Sequence, residues 1–454
     1  MDNLSLHKAI KLTKEYKKMV PKERVQLRKK RLYDLVTYAR ENSPLYHDLY
    51  DGLRDNFTLR DLPTTNRQLF LDNYDRWSTD SQVSSDSVDR YVQYYADQTD
   101  LYLGEYYVIS NSGTDGSSIV TLYDSNSAMA MSTDYIHNIF ARRENFWDFV
   151  NHGSRVAAIY TENGPFFPNV FSQMRRESLP ARKKKSILLP AQASSADLVS
   201  RLNSFNPSML AGFPSVLMRM ADEKKAGRLK IEPAFIVADG EPLDKGTRKR
   251  LRKIFNCDVF SSYSTSMTGC IAYECREHHL HINDNWVLVE PVNAAGEPVK
   301  PGRPSDKVLI TNLLSYPQPV IRYELGDRVI MHTKPCLCGN YSPWLEILGR
   351  SLDQIRFVYG GKEIIVPIAD MDKVFKGADF IKRYQILIYP NNHLALRLTG
   401  AKGTDKTMAF FKAEKMLRSY MRSIGILAPM ITLEKEDPQP HPLSGKYQTI
   451  IIMP

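Results

Sequence analysis

Between residues 156 and 260, short apolar runs (Val156–Tyr160, Ser186–Leu189, Met209–Ala211, Ala234–Ala238, Val259–Phe260) alternate with segments of helical spacing such as Ser215–Lys225 and Asp244–Phe255. No other feature narrows the fold as far, because strand-like and helical stretches taking turns argue for a doubly wound α/β body. Residues 1 to about 55 read as helical, with Ser43-Pro44 breaking the pattern, and Asp61-Leu62-Pro63-Thr64-Thr65 reads as a turn. Tyrosine-rich alternation over residues 80–123 suggests strands, helical spacing returns over 127–150, and residues 286–331 look like β structure.

The 454 residues, 43% hydrophobic and 25% charged, suffice for two or three globular domains. No apolar stretch reaches membrane-spanning length, and the lysine-rich start has no hydrophobic signal core, so a cytoplasmic location is expected. The net charge of +10 concentrates in Lys17–Arg31, Arg175–Lys185 and Arg248–Lys253. Such runs attract nucleic acid, anionic membrane or phosphorylated small molecules, but apolar residues at helical spacing make the first and third runs read as solvated helix faces. Neither nucleic acid nor a membrane is an expected partner, since Arg182–Lys185 has charge but no base-stacking motif.

Ser110-Asn111-Ser112-Gly113-Thr114-Asp115-Gly116-Ser117-Ser118 lies between the apolar runs Tyr106–Ile109 and Ile119–Tyr123, a strand–loop–strand pattern. Glycines without a Cβ, backbone N–H groups and the Ser112 and Thr114 hydroxyls suit a phosphate cradle; taken alone, such a loop more often just turns the chain as a solvated hairpin. Further loop clusters follow at Asp239-Gly240-Glu241-Pro242, Ser261-Ser262-Tyr263, Pro319–Asp327 and Gly349–Asp353. The first two sit at the ends of strand-like runs, where open α/β sheets place ligand loops.

With these clusters in this order, and with Glu41–Tyr46, Asp61–Thr65 and Ser444-Gly445-Lys446 around them, nearly the whole chain resembles the adenylate-forming ligases. The resemblance is to the branch of phenylacetate–CoA ligases, coenzyme F390 synthetases and capsule-biosynthesis proteins. It implies a large adenylation domain (1–348), a hinge (349–355) and a small mobile α+β lid domain (356–454). It also implies an ATP site in which Ser112, Gly113, Thr114, Asp115 and Gly116 hold the phosphates. Gly240, Glu241, Pro242, Ser262 and Tyr263 would frame the adenine, and Asp327, helped by Arg350, would accept from the ribose hydroxyls. Lys446 would be the catalytic lysine, stabilising charge as a carboxylate attacks the α-phosphate.

Cys275, His281, Cys336 and Cys338 form a Cys3His set with the count and softness of a tetrahedral Zn2+ site. Proximity of reduced thiols by chance and a disulfide are the alternatives; His278 and His279 compete for the imidazole position, and Cys257 and Cys270 read as packing residues.

Three motifs depart from the resembling family: Ser117 and Ser118 replace lysine and proline, Met267 replaces the glutamate that meets Mg2+, and Leu352 replaces the hinge acid or lysine. Asp115 or Glu274 would have to stand in for the missing carboxylate. The expected activity is ATP-dependent activation of a carboxylic acid to an acyl-adenylate, then transfer to a thiol, CoA being the leading acceptor. An amine acceptor, giving an amide, and a nucleotide- or acid-binding relative with impaired turnover are the alternatives. Phe140, Phe146, Trp147, Tyr160, Phe166, Phe167 and Phe213 are candidates for an aryl pocket or for core, and a homodimer is a possible assembly.

Overall fold

The structure, a computed structural model, describes residues 4–94, 100–110, 119–140, 143–161, 164–178, 180–350, 354–401, 403–441 and 445–453. The chain divides into two compact units. The larger comprises Met1–Leu325, Val329–Ile347 and Leu443–Gly445; the smaller comprises Gly326–Arg328, Leu348–Pro442 and Lys446–Pro454.

The larger unit opens with helices Leu6–Lys18, Pro21–Asn42 and Pro44–Leu49. Pro21 begins the second, where its missing N–H costs nothing, and Glu23 reaches back to the Val20 N–H at 3.0 Å. Leu32, Leu35, Val36 and Ala39 recur at helical spacing and are buried. The basic run here is the expected solvated face only in part: Lys18, Lys22, Lys29 and Lys30 are exposed, but three arginines turn inward. Arg24 is 5% exposed and donates to the Met19 and Lys17 carbonyls at 3.1 and 2.9 Å, capping the end of the first helix, while Arg28 pairs with Asp284 and Arg31 donates to Asn285 Oδ1 at 2.6 Å. These guanidiniums turn inward because fixed oxygens await them there.

Strand structure expected over residues 80–106 is replaced in part by the helix Ser85–Gln93. Ser84 caps it by accepting the Ser87 N–H at 3.3 Å, and Val88 supplies its buried contact. β1 (Tyr107–Ser110) and β2 (Val120–Tyr123) then pair antiparallel, with Ser110 opposite Val120.

The doubly wound body follows. β3 (Val156–Tyr160), β4 (Ser186–Pro190), β5 (Met209–Gly212), β6 (Phe235–Ala238) and β7 (Asp258–Phe260) form an all-parallel sheet in the order β4-β3-β5-β6-β7. Burial on both faces explains why these strands read as continuous apolar runs. Leu210, Phe235, Ile236 and Val259 are fully buried, and the helices Pro214–Lys225 and Lys245–Phe255 pack Leu217, Leu251 and Phe255 against the same core.

Next come β8 (Ser262–Thr265), β9 (Gly269–Glu274), β10 (Leu280–Ile282), β11 (Val287–Val292), β12 (Lys307–Asn312), β13 (Val320–Leu325), β14 (Asp327–His332) and β15 (Trp344–Arg350). They sort into a sheet of order β14-β15-β10-β9-β8 and a three-stranded sheet β11-β12-β13.

Motifs far apart in sequence meet on this framework. The Tyr46 hydroxyl and the Trp77 Nε1–H both donate to the Pro319 carbonyl, at 2.9 and 2.7 Å. Thr65 pairs with β13, accepting from the Glu324 N–H at 2.8 Å and donating to the Arg322 carbonyl at 3.1 Å. Arg322 is held at φ +49°, buried, with its guanidinium on Glu290 and on the Leu62 carbonyl at 2.6 Å. A left-handed arginine is strained, and these fixed partners offset the cost.

The smaller unit pairs β16 (Gln354–Tyr359) with β17 (Lys362–Pro367) as a hairpin. β18 (Ile381–Tyr389), β19 (His393–Gly400), β20 (Met430–Leu433) and β21 (Ile450–Ile452) form a sheet of order β20-β19-β18-β21. The helix Lys406–Ser423, capped by Asp405, buries Ala409, Ala413, Leu417 and Met421 against it, a stripe at i, i+4, i+8 and i+12.

Candidate active site and metal centre

The parallel sheet presents its carboxyl ends as a row of loops, the usual place for a ligand in an open α/β sheet. The β6 loop begins at Asp239, whose N–H donates to the Gly212 carbonyl at the end of β5 (3.1 Å). Gly240 follows at φ +81°, a conformation glycine adopts without strain. The Asp239 carboxylate accepts the Ser262 N–H at 2.7 Å and so ties the β6 loop to the start of β8. Burial pushes the Asp239 carboxyl up to about 7, against the lowering effect of the Ser262 hydrogen bonds. Tyr160, at the end of β3, packs edge-on against Phe213 with ring centres 5.1 Å apart, close enough to Asp239 to feel its charge.

The structure therefore brings Gly240, Glu241, Pro242, Ser262 and Tyr263 to one edge of the larger unit. Glu241 turns its carboxylate to the helix Pro214–Lys225, accepting from the N–H and hydroxyl of Ser215 at 2.9 Å each. A carboxylate at a helix N-terminus is a structural placement, which leaves the backbone of the loop to face a ligand. Asp239 opens the loop cluster named in the sequence, but no role was assigned to it there. Its signal is an acid placed directly after a fully apolar strand.

Ser112, Gly113, Thr114, Asp115 and Gly116 lie outside the described residues; the flanking strands β1 and β2 bring the two ends of that loop together. Asp327 opens β14 and is 7% exposed, Arg350 closes β15, and Lys446 lies four residues before β21, accepting the His441 N–H on its carbonyl at 2.8 Å. These three belong to the smaller unit and the adenine-loop residues to the larger.

Of the two carboxylates that could stand in for the missing glutamate, Glu274 is already committed. Met267 is 2% exposed in the largest core, its carbonyl accepting Asn312 Nδ2 at 3.1 Å, so this side chain packs rather than meeting a cation. Glu274 is held bidentately by Arg248 at 2.6 and 2.8 Å and also accepts the Ser261 N–H at 2.8 Å; it is committed to structure, and Arg248 is not on a solvated face. Asp115 lies outside the described residues. The aromatic candidates also separate: Tyr160 and Phe213 reach the carboxyl edge, whereas Phe146 and Trp147 are on the surface.

The second site lies on the β9–β10 turn and the segment before β15. All four ligand atoms of Cys275, His281, Cys336 and Cys338 fall within 4.8 Å of one another. Cys275 Sγ is 3.8 Å from Cys336 Sγ, far beyond the ~2.05 Å of a disulfide. Cys338 Sγ is 3.4 Å from His281 Nε2. Zn–S bonds of ~2.3 Å and Zn–N bonds of ~2.0 Å at tetrahedral angles require edges of about 3.7 and 3.5 Å, so the set fits a closed four-coordinate ion.

The outer shell fits as well. His281 Nδ1 is 2.7 Å from the Ser342 carbonyl, which can only accept, so the proton sits on Nδ1 and the Nε2 lone pair faces the sulfurs. Ser342 donates its hydroxyl to Asp284 at 2.7 Å, and Asp284 pairs with Arg28 of the second helix. His278 turns instead to Arg248 at 3.1 Å. His279 places Nδ1 3.3 Å from Cys336 Sγ with its ring stacked 3.9 Å from Trp344, so it borders the centre. Cys257 and Cys270 pack elsewhere, as expected.

No protein-family model matches the sequence, and no curated protein matches it. Among solved structures, the chain is similar to 2-hydroxyisobutyryl-CoA ligase in its postadenylation state with R3-HIB-AMP. The TM-score is 0.69 at 16% identity, covering 96% of this chain and 91% of that one. The same ligase with 2-HIB-AMP and CoA in its thioesterification state matches at 0.60, 17% identity and the same coverage. An anthranilate CoA ligase with anthranoyl-AMP matches at 0.50 and 13% identity, over 75% of this chain and 66% of that one. Across nearly its whole length, the chain has the fold of the adenylate-forming CoA ligases.

Proposed function

We propose that this protein is an AMP-forming ligase that joins ATP and a carboxylic acid into an acyl-adenylate and pyrophosphate, then passes the acyl group to a thiol, CoA in the first instance. The observation that carries this is the carboxyl edge of the parallel sheet, where Asp239, Gly240 and Ser262 are locked together beside Tyr160 and Phe213. It offers flexible backbone, an oriented carboxyl and an apolar wall in one place, as an adenine and an acyl group require. In this reading the Ser112–Gly116 loop cradles the phosphates and Asp327, with Arg350, accepts from the ribose. Lys446 stabilises the charge that develops on the α-phosphate, delivered by movement of the smaller unit as a lid.

Mg2+ arrives with the ATP phosphates, because neither Met267 nor Glu274 is free to bind it. Zn2+ at Cys275, His281, Cys336 and Cys338 acts as a structural cross-link, far from needing an open position for chemistry. ATP–pyrophosphate exchange over a panel of aliphatic, hydroxy and aryl acids tests the reading; exchange that appears with one acid and vanishes without Mg2+ is expected. Absence of exchange with every acid, while ATP still binds, would instead favour a nucleotide-binding relative without turnover. The buried Met267 is the observation behind that second reading. Hydroxylamine or an amine trapping the adenylate faster than CoA would favour an amide-forming ligase.

A further inference from the structure

Lys183–Lys185 of the second basic run and the aromatic pair Phe146-Trp147 have no part in the chemistry above, yet the fold brings them to the same end of the parallel sheet, opposite the ligand loops. The helix Arg143–Asn151 leads into the amino end of β3, and the 3-10 turn Pro180–Lys185 leads into the amino end of the edge strand β4. β3 and β4 run side by side with Val156 opposite Ser186, and Lys185 Nζ reaches the Gly153 carbonyl at 3.3 Å. On the helix, Phe146, Trp147 and Val150 are 43%, 59% and 38% exposed, three apolar side chains at i, i+1 and i+4. Beside them Lys183, Lys184 and Lys185 are exposed. At the amino ends of the neighbouring strands β3, β5 and β6 lies a cavity of about 420 Å³ lined by His152, Arg155, Asn206, Lys230 and Glu232, the last paired to Lys224 at 2.7 Å.

Against the sequence expectation that no membrane is a partner, we propose that this end of the sheet is a docking surface for an anionic lipid bilayer. Trp and Phe on one face of a helix, flanked by lysines, is the composition that settles at the headgroup boundary: the rings enter the acyl margin and the ammonium groups stay among the phosphates. The cavity, with Arg155 and Lys230 as its cations, accepts one phosphate headgroup. A single-stranded nucleic acid fits less well, because Phe146 and Trp147 meet at 72° and Val150 offers no ring, so successive bases find no stacked platform. The contact is peripheral, since no helix among the described residues is long and apolar enough to cross a membrane.

The test uses the full chain with vesicles of phosphatidylcholine alone or with phosphatidylserine. Of the four tryptophans, Trp77 and Trp286 are buried and Trp344 is stacked between His279 and His332, so a blue shift and quenching by brominated lipid report Trp147. Co-sedimentation with the phosphatidylserine vesicles only, a blue shift, and release by salt are expected. Lys183→Glu with Lys184→Glu should lower the partition coefficient by more than tenfold, at roughly fivefold per lysine, and Trp147→Phe should keep binding while losing the fluorescence signal. No sedimentation with either vesicle overturns the proposal. So does partition unaffected by the lysine variants, a salt-sensitive oligonucleotide complex without vesicle binding, or a concentration-dependent dimer that Trp147→Ala abolishes and vesicles do not compete with.

Discussion

The Cys/His centre and the carboxyl edge of the parallel sheet handle buried polar groups in opposite ways. At the centre, polar groups along the chain from the sulfurs outwards meet fixed partners: His281 on Ser342, Ser342 on Asp284, Asp284 on Arg28, and Arg24 within 3.3 Å of the Ser342 hydroxyl. At the sheet edge, Asp239 accepts the Ser262 N–H at 2.7 Å, yet burial still pushes its carboxyl up to about 7. A region that serves stability satisfies its charges in advance, whereas one that binds a ligand, as proposed for the sheet edge, keeps one polar demand open. The two should therefore respond to perturbation in different observables.

The largest effect is expected at the centre. Cys336→Ser, or chelation of the parent, should remove about one equivalent of zinc and cost several kcal/mol of stability, on the order of 10 °C in the melting midpoint. Because Ser342, Asp284 and Arg28 are tied to the centre, the second helix should loosen in the same step, visible as faster amide exchange across Pro21–Asn42. ATP affinity of the remaining folded protein should change little. Protein isolated without chelators and found free of zinc would collapse the distinction.

At the functional end the effect should appear in rate. Lys446→Ala is expected to slow acyl-adenylate formation by roughly 10²–10³-fold with little change in ATP binding or melting midpoint, since the loss falls on the transition state. Transfer from preformed acyl-adenylate should survive. Equal adenylation by the variant and the parent would remove Lys446 from the chemistry. Asp327→Ala should act on binding instead, weakening ATP by about 1.5–3 kcal/mol through lost hydrogen bonds to a charged acceptor. Calorimetry giving unchanged ATP affinity would leave Asp327 as a buried carboxylate of β14 and nothing more.

The contrast also explains what could be read in the sequence. The parallel sheet was legible because strands buried on both faces leave continuous apolar runs, and the Cys3His set because few residue types bind soft cations. Inward arginines were not, since Arg24 and Arg28 sit on a helix whose pattern is that of any basic surface helix; only the distant Asp284 and Ser342 reveal their direction. The helix Ser85–Gln93 was hidden because Tyr91 and the tyrosines that follow it in sequence resemble strand residues, and the decisive signal is one capping serine, Ser84. Asp239 was legible as part of a ligand loop, but its hydrogen bond to the start of β8 depends on Ser262, which only the fold brings near. Glu274 looked available until Arg248 was found on it.

The smallest effect, and the sharpest discriminator between the two regions, is the pH dependence carried by Asp239. The unfolded chain releases this proton near ~3.9, while the folded protein retains it to about 7. Between those values the folded state binds more protons than the unfolded one, so stability falls as pH rises and the deficit is complete only above the folded pKa. Asp239→Asn keeps a carbonyl oxygen for the Ser262 N–H but cannot ionise. Relative to the parent it should be about equally stable near pH 4 and more stable by roughly 1–2 kcal/mol at pH 8, the shift being discounted for solvent reaching part of the residue. Asp134, which burial raises to about 6, is present in both proteins and cancels in the difference. Urea midpoints at the two pH values measure this directly. A difference independent of pH would mean that Asp239 is already compensated, and the sheet edge would then be as fully satisfied as the Cys/His centre. A pH-dependent gain that ATP abolishes would show the ligand itself meeting the demand that the fold leaves open.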